Sequence, residues 1–101
     1  MAHGSVHTVT ASFTGTGASA SIPVKSGHIF DFSLWGTFDG VLQIQRRAPG
    51  NSVWLVMESH TDTPVERVLR SAGNYDVRME CTVFTSGDFE CSLTTQGERG
   101  V

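Results

Sequence analysis

The sequence has little basic charge, and Lys25 is its only lysine. Seven Lys and Arg residues stand against ten Asp and Glu residues, which gives a formal net charge of −3 over 101 residues. A nucleic-acid-binding protein needs a basic patch that neutralises phosphates, so we expect no nucleic-acid partner. No apolar run approaches the roughly 20 residues of a membrane span, and we expect no membrane partner either.

Cysteine is also scarce, since Cys81 and Cys91 are the only two. Two cysteines are too few for a disulfide-dense secreted scaffold. The first residues, MAHGSVHTVT, have neither the basic start nor the apolar core of a signal peptide. We therefore expect synthesis in the cytosol, where two buried, reduced thiols are the favoured interpretation of the cysteine pair. A disulfide between opposed strands is the alternative.

Recognisable chemical motifs are missing as well. The sequence has no GxSxG nucleophile, no phosphate-binding glycine loop and no cluster of carboxylates. We interpret the histidines (His3, His7, His28 and His60) as surface residues and not as metal ligands. The sequence therefore predicts a protein that is not an enzyme, with no catalytic residues, metal site or cofactor.

Short β-strands are what the sequence favours instead. Ser and Thr supply 22 residues and Gly 11, and apolar residues alternate with polar ones from end to end. The fold class predicted is all-β, a small antiparallel β-sandwich or barrel of about eight short strands. We expect a flexible N-terminal arm at residues 1–8, a sandwich domain at 9–96 and a tail at 97–101. The predicted strands are 6–14, 18–24, 28–37, 41–47, 53–60, 64–70, 75–84 and 88–94.

Side-chain parity predicts two hairpins among these strands. A three-residue loop at 85–87 would keep the apolar faces together and place Cys81 opposite Cys91. By the same rule, a loop at 38–40 would place Leu34 opposite Ile44. A loop of even length would mix the apolar and polar faces, so the three-residue loops are preferred.

The other face of the predicted central hairpin gathers apolar and amide side chains on the water side of the sheet. If residues 48–51 form the next loop, the following strand places Trp54 and Val56 on the same face. An apolar outer face needs something to cover it, and Trp and Arg are enriched at protein interfaces. Two alternatives to an interface stay open. A second sheet of the same chain would cover the tryptophans, and the arginines would form solvated ion pairs across the strands. The candidate interface residues are Trp35, Val41, Gln43, Trp54, Val56, Arg46 and Arg47, with His3 and His7 on the arm.

Residues 12–95 contain the stretches SFTGTGASASIPV, HIFDFSLWGTFDGVLQIQRRAPGNSVWLVME and NYDVRMECTVFTSGDFECSL. The chain resembles small all-β decoration (cement) proteins of tailed phages and phage-like particles. The resemblance lies in the order of its motifs, which are G-T-F-x-G, V-L-Q-I-Q-R-R, a short Gly loop and V-W. This resemblance implies a virion protein on the capsid surface that binds the major capsid protein, stabilises the shell and self-associates as a trimer.

Two other functions stay open at this point. The first is a β-module of a phage tail, connector or fibre, which belongs to the same class of structural protein. The second is a carbohydrate-binding β-sandwich, in which Trp35 and Trp54 would stack on sugar rings.

Overall fold

The computed structural model describes residues 7–95, which form seven antiparallel β-strands and no helix. The all-β class predicted from the sequence is confirmed. Within these residues no helix is long and apolar enough to cross a membrane. The strands are β1 (Thr8–Phe13), β2 (Gly17–Ala18), β3 (Ile22–Val24), β4 (Ile29–Arg47), β5 (Leu55–His60), β6 (Val65–Arg70) and β7 (Tyr75–Thr95).

The two long strands, β4 and β7, pair with each other along almost their whole length. A straight strand of 19 residues would be roughly 60 Å long, whereas the longest extent of the molecule is 45 Å. Both strands therefore bend, and their register shifts between residues 39 and 42 of β4. Gly36 (φ 112°) and Gly87 (φ 125°) lie at this bend, in backbone conformations that favour glycine.

The bend divides the pairing into two four-stranded layers. Sheet I contains β1, residues 88–95 of β7, residues 29–37 of β4, and β6. Sheet II contains residues 75–84 of β7, residues 40–47 of β4, β5, and one edge formed by β2 and β3, which pair with β7 one after the other and are counted as a single segment. With the eight segments numbered along the chain, the orders are 1-8-3-6 and 2-7-4-5, which is the strand order of a jelly roll. The predicted β-sandwich is thus confirmed.

The eight predicted strands correspond to these eight segments, but the two hairpins between them are wrong. Residues 38–40 continue β4 and residues 85–87 continue β7 across the bend, so neither turns the chain back. Leu34 pairs with Cys91 and not with Ile44, and Cys81 pairs with Leu42. The two cysteines therefore belong to different sheets.

The core lies between the inner faces of the two sheets. Phe32 of sheet I, for example, stacks on the His60 ring of sheet II, with ring centroids 5.3 Å apart. Both cysteines are buried in this core as free thiols, as the sequence predicts. The buried apolar residues are Phe13, Ile22, Val24, Phe30, Phe32, Leu34, Leu42, Ile44, Val77, Met79, Cys81, Phe89, Cys91 and Leu93.

The end of the predicted N-terminal arm belongs to sheet I. The His7 backbone N–H donates to Thr95 Oγ1 at 2.9 Å, and the His7 carbonyl accepts from the Thr95 N–H at 2.9 Å. Thr8 begins β1, so the last two residues of the segment predicted as an arm, His7 and Thr8, pair with β7. His3 and the predicted tail at 97–101 lie outside the described residues.

Candidate functional site

The outer face of sheet II carries a row of polar side chains on its two central strands. Leu42 and Ile44 point into the core, and because strand residues alternate between faces, their neighbours on β4 point outward. Three of these outward-pointing residues of β4 pair with a charged residue of β7. The pairs are Gln43 with Glu80, Gln45 with Arg78, and Arg47 with Asp76.

Gln45 is the centre of a hydrogen-bond network on this face. Its amide Nε2 donates to Gln43 Oε1 at 2.9 Å and to Glu80 Oε1 at 2.6 Å. Its Oε1 accepts from Arg78 Nε at 2.8 Å. The side chain is buried and uses both of its amide groups, so the network holds the neighbouring side chains in place without leaving a polar atom unpaired.

Trp54, which precedes β5, lies against Arg78 of this network and against Arg47 of the same outer face. The guanidinium carbon of Arg78 is 4.2 Å from the indole ring centroid, and that of Arg47 is 4.5 Å away. Arg47 Nε is also 3.4 Å from Asp76 Oδ2. Such cation–π contacts contribute about 0.5–1 kcal/mol each at exposed sites. The half-buried indole is therefore fixed on the outer face of sheet II.

Next to this indole, sheet II ends in a strongly apolar edge. Val53, Leu55 and Val56 are between 53% and 59% exposed. β5 pairs with β4 and is the last strand on its side of the sheet. Val56 pairs with Gln45 and lies on the outer face, whereas Leu55 pairs with Arg46 and lies on the other side. We call Val53, Trp54, Leu55 and Val56 the apolar edge.

The bend separates the remaining predicted tryptophan from this site. Trp35 is 41% exposed and pairs with Glu90, so it lies on the outer face of sheet I. Val41 lies on the outer face of sheet II, but it pairs with Val83 next to the bend. The prediction that one face collects Trp35 with Trp54 is therefore wrong, while Val56 does pair with Gln45 on the outer face that also carries Gln43.

Arg46 and Arg47 point to opposite faces of sheet II. Arg46 has the parity of the core residues and places its guanidinium carbon 4.4 Å from the centroid of the Tyr75 ring. It covers the end of the core, so it does not belong to the outer face that holds Arg47. Adjacent strand residues cannot share a face, so the two candidate arginines serve different surfaces.

An ion-pair network links the edge strands β5 and β6, and its Arg67–Glu58 pair is one of the ion pairs that the sequence left open as an interpretation of the arginines. Arg67 Nη2 donates to Glu58 Oε2 at 2.7 Å, and Arg67 Nε lies 3.1 Å from Glu58 Oε1. Glu58 Oε1 is also 2.9 Å from His60 Nε2. His60, predicted at the surface, is mostly covered because its ring stacks on Phe32. The signal was the i, i+2 spacing of Glu58 and His60, which places both on one face.

The comparisons with known proteins concern the fold. No family model matches the sequence, and no curated protein matches it.

Residues 7–95 contain no group of three or more His, Cys, Asp or Glu side chains that could hold a metal ion.

Two solved structures are similar to the chain. One is Aeromonas hydrophila PliG, a periplasmic lysozyme inhibitor of g-type lysozyme, with a TM-score of 0.52 and 14% identity over 92% of this chain and 88% of that one. The other is the Yersinia pseudotuberculosis-derived mitogen, with a TM-score of 0.49 and 17% identity over 90% of this chain and 86% of that one. At these identities the likeness to PliG shows a shared fold alone.

Proposed function

We propose that this chain is a non-enzymatic structural protein of a phage-like particle, a decoration protein that binds the major capsid protein on the outer surface of the shell. The observation that supports this most is the apolar edge, where three strongly exposed apolar side chains flank a tryptophan held by two arginines. Exposed apolar groups with Trp and Arg at their centre are the typical composition of a protein-binding hot spot. The resemblance of residues 12–95 to phage decoration proteins supports the same function.

Binding at the apolar edge would remove Val53, Leu55 and Val56 from water, which contributes about 25 cal/mol per Å² of apolar surface. The cost of ordering is small for Trp54, because Arg47 and Arg78 already hold the indole. β5 is also an end strand. Its outward backbone groups can therefore pair with an extended segment of the capsid protein.

Self-association strengthens this binding. In the trimer that we propose, three identical apolar edges meet neighbouring capsid subunits at once. After the first edge has bound, the other two bind at a high effective concentration. Each trimer then links several shell subunits, which is how a small protein made in the host cytoplasm would reinforce a capsid.

Co-sedimentation with undecorated capsids, assembled from the major capsid protein of the same genome, tests this proposal. We expect saturable binding by the wild-type chain and a loss of binding by Val56→Lys, because the change places a charge in the apolar edge. Val68→Lys is the matched control, since Val68 is an exposed valine on edge strand β6 of the other sheet. Equal binding of both variants, or a loss with Val68→Lys alone, contradicts the proposed surface.

Trp54→Ala tests the centre of the same surface. We expect at least roughly tenfold weaker capsid binding, as for a typical hot-spot tryptophan, with the circular dichroism spectrum and oligomeric state of the wild type. Trp35→Ala, which removes an indole from sheet I, is expected to bind capsids normally. Wild-type binding by Trp54→Ala would remove Trp54 from the site.

A further inference from the structure

The outer face of sheet I has a chemistry different from that of sheet II. Its positions on the three strands β1, β7 and β4 are mostly occupied by hydroxyl-bearing residues, aligned in rows across the sheet. Strands lie about 4.8 Å apart and same-face residues about 6.7 Å apart along a strand. The hydroxyls thus form a flat array, and these residues are Thr8, Thr10, Ser12, Ser33, Ser92 and Thr94.

Carboxylates, one exposed indole and one exposed valine, Val68 beside Asp31 on β6, border this hydroxyl array. Glu90 lies beside Trp35 on β7, and Glu66 lies beside Ser33 on β6. Ser12 Oγ is 3.4 Å from Glu90 Oε2, so hydroxyl and carboxylate groups are already within reach of one another. A shallow depression of about 410 Å³ lies over the pairing of β4 with β6, between residues 31–33 and residues 66–68.

The charges of this face limit what can bind there. The described positions of β1, β4 and β7 on this face hold no Lys or Arg. On β6, Arg67 points to the inner side and pairs with Glu58, whereas Arg70 lies beside Ile29 on the outer side and donates from Nη1 to the Gly27 carbonyl at 2.8 Å. An anionic ligand on the hydroxyl array would therefore meet mainly carboxylates, which disfavours nucleic acids and sulfated or other acidic glycans. Protein interfaces are depleted in Ser, Asp and Glu, so the composition also disfavours a protein partner. An uncharged polyhydroxyl ligand fits all of these features.

We propose that the outer face of sheet I binds an uncharged polysaccharide. The Trp35 indole would stack on the face of a sugar ring. The carboxylates of Glu66 and Glu90 accept hydrogen bonds from sugar hydroxyls, and the Ser and Thr hydroxyls both donate and accept. The site goes beyond the capsid binding proposed above. Because the outer faces of the two sheets point in opposite directions, one molecule can hold a shell and a glycan simultaneously.

An NMR titration of the ¹⁵N-labelled chain with cellohexaose, maltohexaose and chitohexaose tests this site. We expect at least one of these neutral oligosaccharides to shift the amide signals of Ser33, Trp35, Glu66 and Ser92 and to leave those of β5 unchanged. A heparin hexasaccharide, as the anionic probe, is expected to cause no such shifts. The absence of shifts with all three neutral probes, or shifts on β5 instead, overturns the proposal.

The two tryptophans provide the matched variants for this titration. Trp35→Ala is expected to weaken oligosaccharide binding roughly tenfold, whereas Trp54→Ala is expected to bind the oligosaccharide like the wild type. The capsid experiment has the reverse expectation for the two variants, so failure of one function is distinguishable from failure of the other. A changed oligomeric state of Trp35→Ala would assign the face to a contact between copies and overturn the glycan site.

Discussion

Gly36 lies where β4 passes from sheet I to sheet II, with a φ of 112° that disfavours any L side chain. A Cβ at this position would come 2.6 Å from the carbonyl oxygen of Asp88 and 2.9 Å from the Phe89 Cα. Both neighbours are backbone atoms of β7 and cannot move without distorting the pairing of the long strands. We therefore predict that Gly36→Ala lowers the free energy of unfolding by at least about 2 kcal/mol, as measured by urea denaturation.

Gly15→Ala is the control for this prediction. Gly15 has no atom within 4 Å of an added Cβ, so the change is expected to alter stability by no more than about 0.5 kcal/mol. Equal unfolding midpoints for Gly36→Ala and the wild type would show that the bend does not require glycine.

The bend also explains the G-T-F-x-G pattern that begins at Gly36. Thr37 Oγ1 accepts a hydrogen bond from the Asp88 N–H at 3.2 Å, and the Phe38 ring lies 4.2 Å from that of Phe89. Thr37 and Phe38 thus tie β4 to β7 where both strands change sheets, and the two glycines of the pattern lie against backbone atoms of β7. The pattern reflects a constraint of the fold, which is why it indicates an architecture and no chemistry.

The two thiols allow a second prediction at the scale of residues. Burial, with the nearby Cys81 as the lesser cause, raises the pKa of Cys91 to about 12, and burial also raises the pKa of Cys81. Because the thiolate is the reactive species, neither thiol should react with a chromogenic aromatic disulfide in the native protein at neutral pH. Both should react after unfolding in guanidinium chloride. Rapid release of the chromophore from the native protein would contradict the burial of both side chains.

At the scale of elements, the sequence predicts which residues face the core but not where the strands turn. Cys81 and Cys91 have the same parity, and a three-residue hairpin loop preserves that parity. An uninterrupted strand preserves it equally well, since the two positions are ten residues apart. Alternation therefore cannot distinguish a hairpin from a strand that bends into the opposite sheet. The close approach of Gly36 and Gly87 to backbone atoms of the paired strand at the bend involves strands distant in sequence, which alternation does not describe.

The same bend limited the prediction of the site. Parity correctly places Gln43, Gln45 and Val56 on one outer face, because they belong to strands paired within sheet II. Trp35 has the parity of Gln43 along β4, but the bend between them moves it to the other outer face. The contact of Trp54 with Arg78 depends on the path of the loop before β5, which periodicity does not describe.

The contact between β5 and β6 predicts a pH dependence of stability. The hydrogen bond from Arg67 is the main cause that holds the pKa of the Glu58 carboxyl below its ordinary value of 4.5; burial opposes it, and the hydrogen bond with His60 supports it. A group whose pKa is lower in the folded state stabilises the fold above its unfolded pKa, and this stabilisation is lost as the pH falls through the folded pKa. Glu58 should therefore stabilise the protein at neutral pH and lose its effect in acid.

Glu58→Gln tests this prediction by denaturant unfolding at pH values above and below 4.5. We expect the variant to be less stable than the wild type at neutral pH and the difference to shrink in acid. Glu66→Gln, which removes an exposed carboxylate from β6, is the control and is expected to change stability by no more than about 0.5 kcal/mol. A stability difference for Glu58→Gln that does not change with pH would contradict the role of the ion pair.

At the scale of the whole molecule, the two outer faces of one thin sandwich differ in chemistry. The smallest extent is 17 Å, which is room for two sheets packed about 10 Å apart. Sheet II carries the apolar edge and its tryptophan–arginine cluster, whereas sheet I carries hydroxyls and carboxylates. Jelly rolls occur both in viral capsid proteins and in lectins, and fold alone does not choose between them. The surface chemistry is what supports one function on each face.

We propose that the apolar edge attaches this protein to a capsid, and a cryo-electron microscopy reconstruction of undecorated capsids mixed with the purified chain is the decisive experiment. We predict added density on the outer surface, in groups of three copies, with β5 and Trp54 against the shell and the outer face of sheet I toward solvent. Capsids without added density, or copies attached with β5 facing solvent, would rule out attachment through the apolar edge.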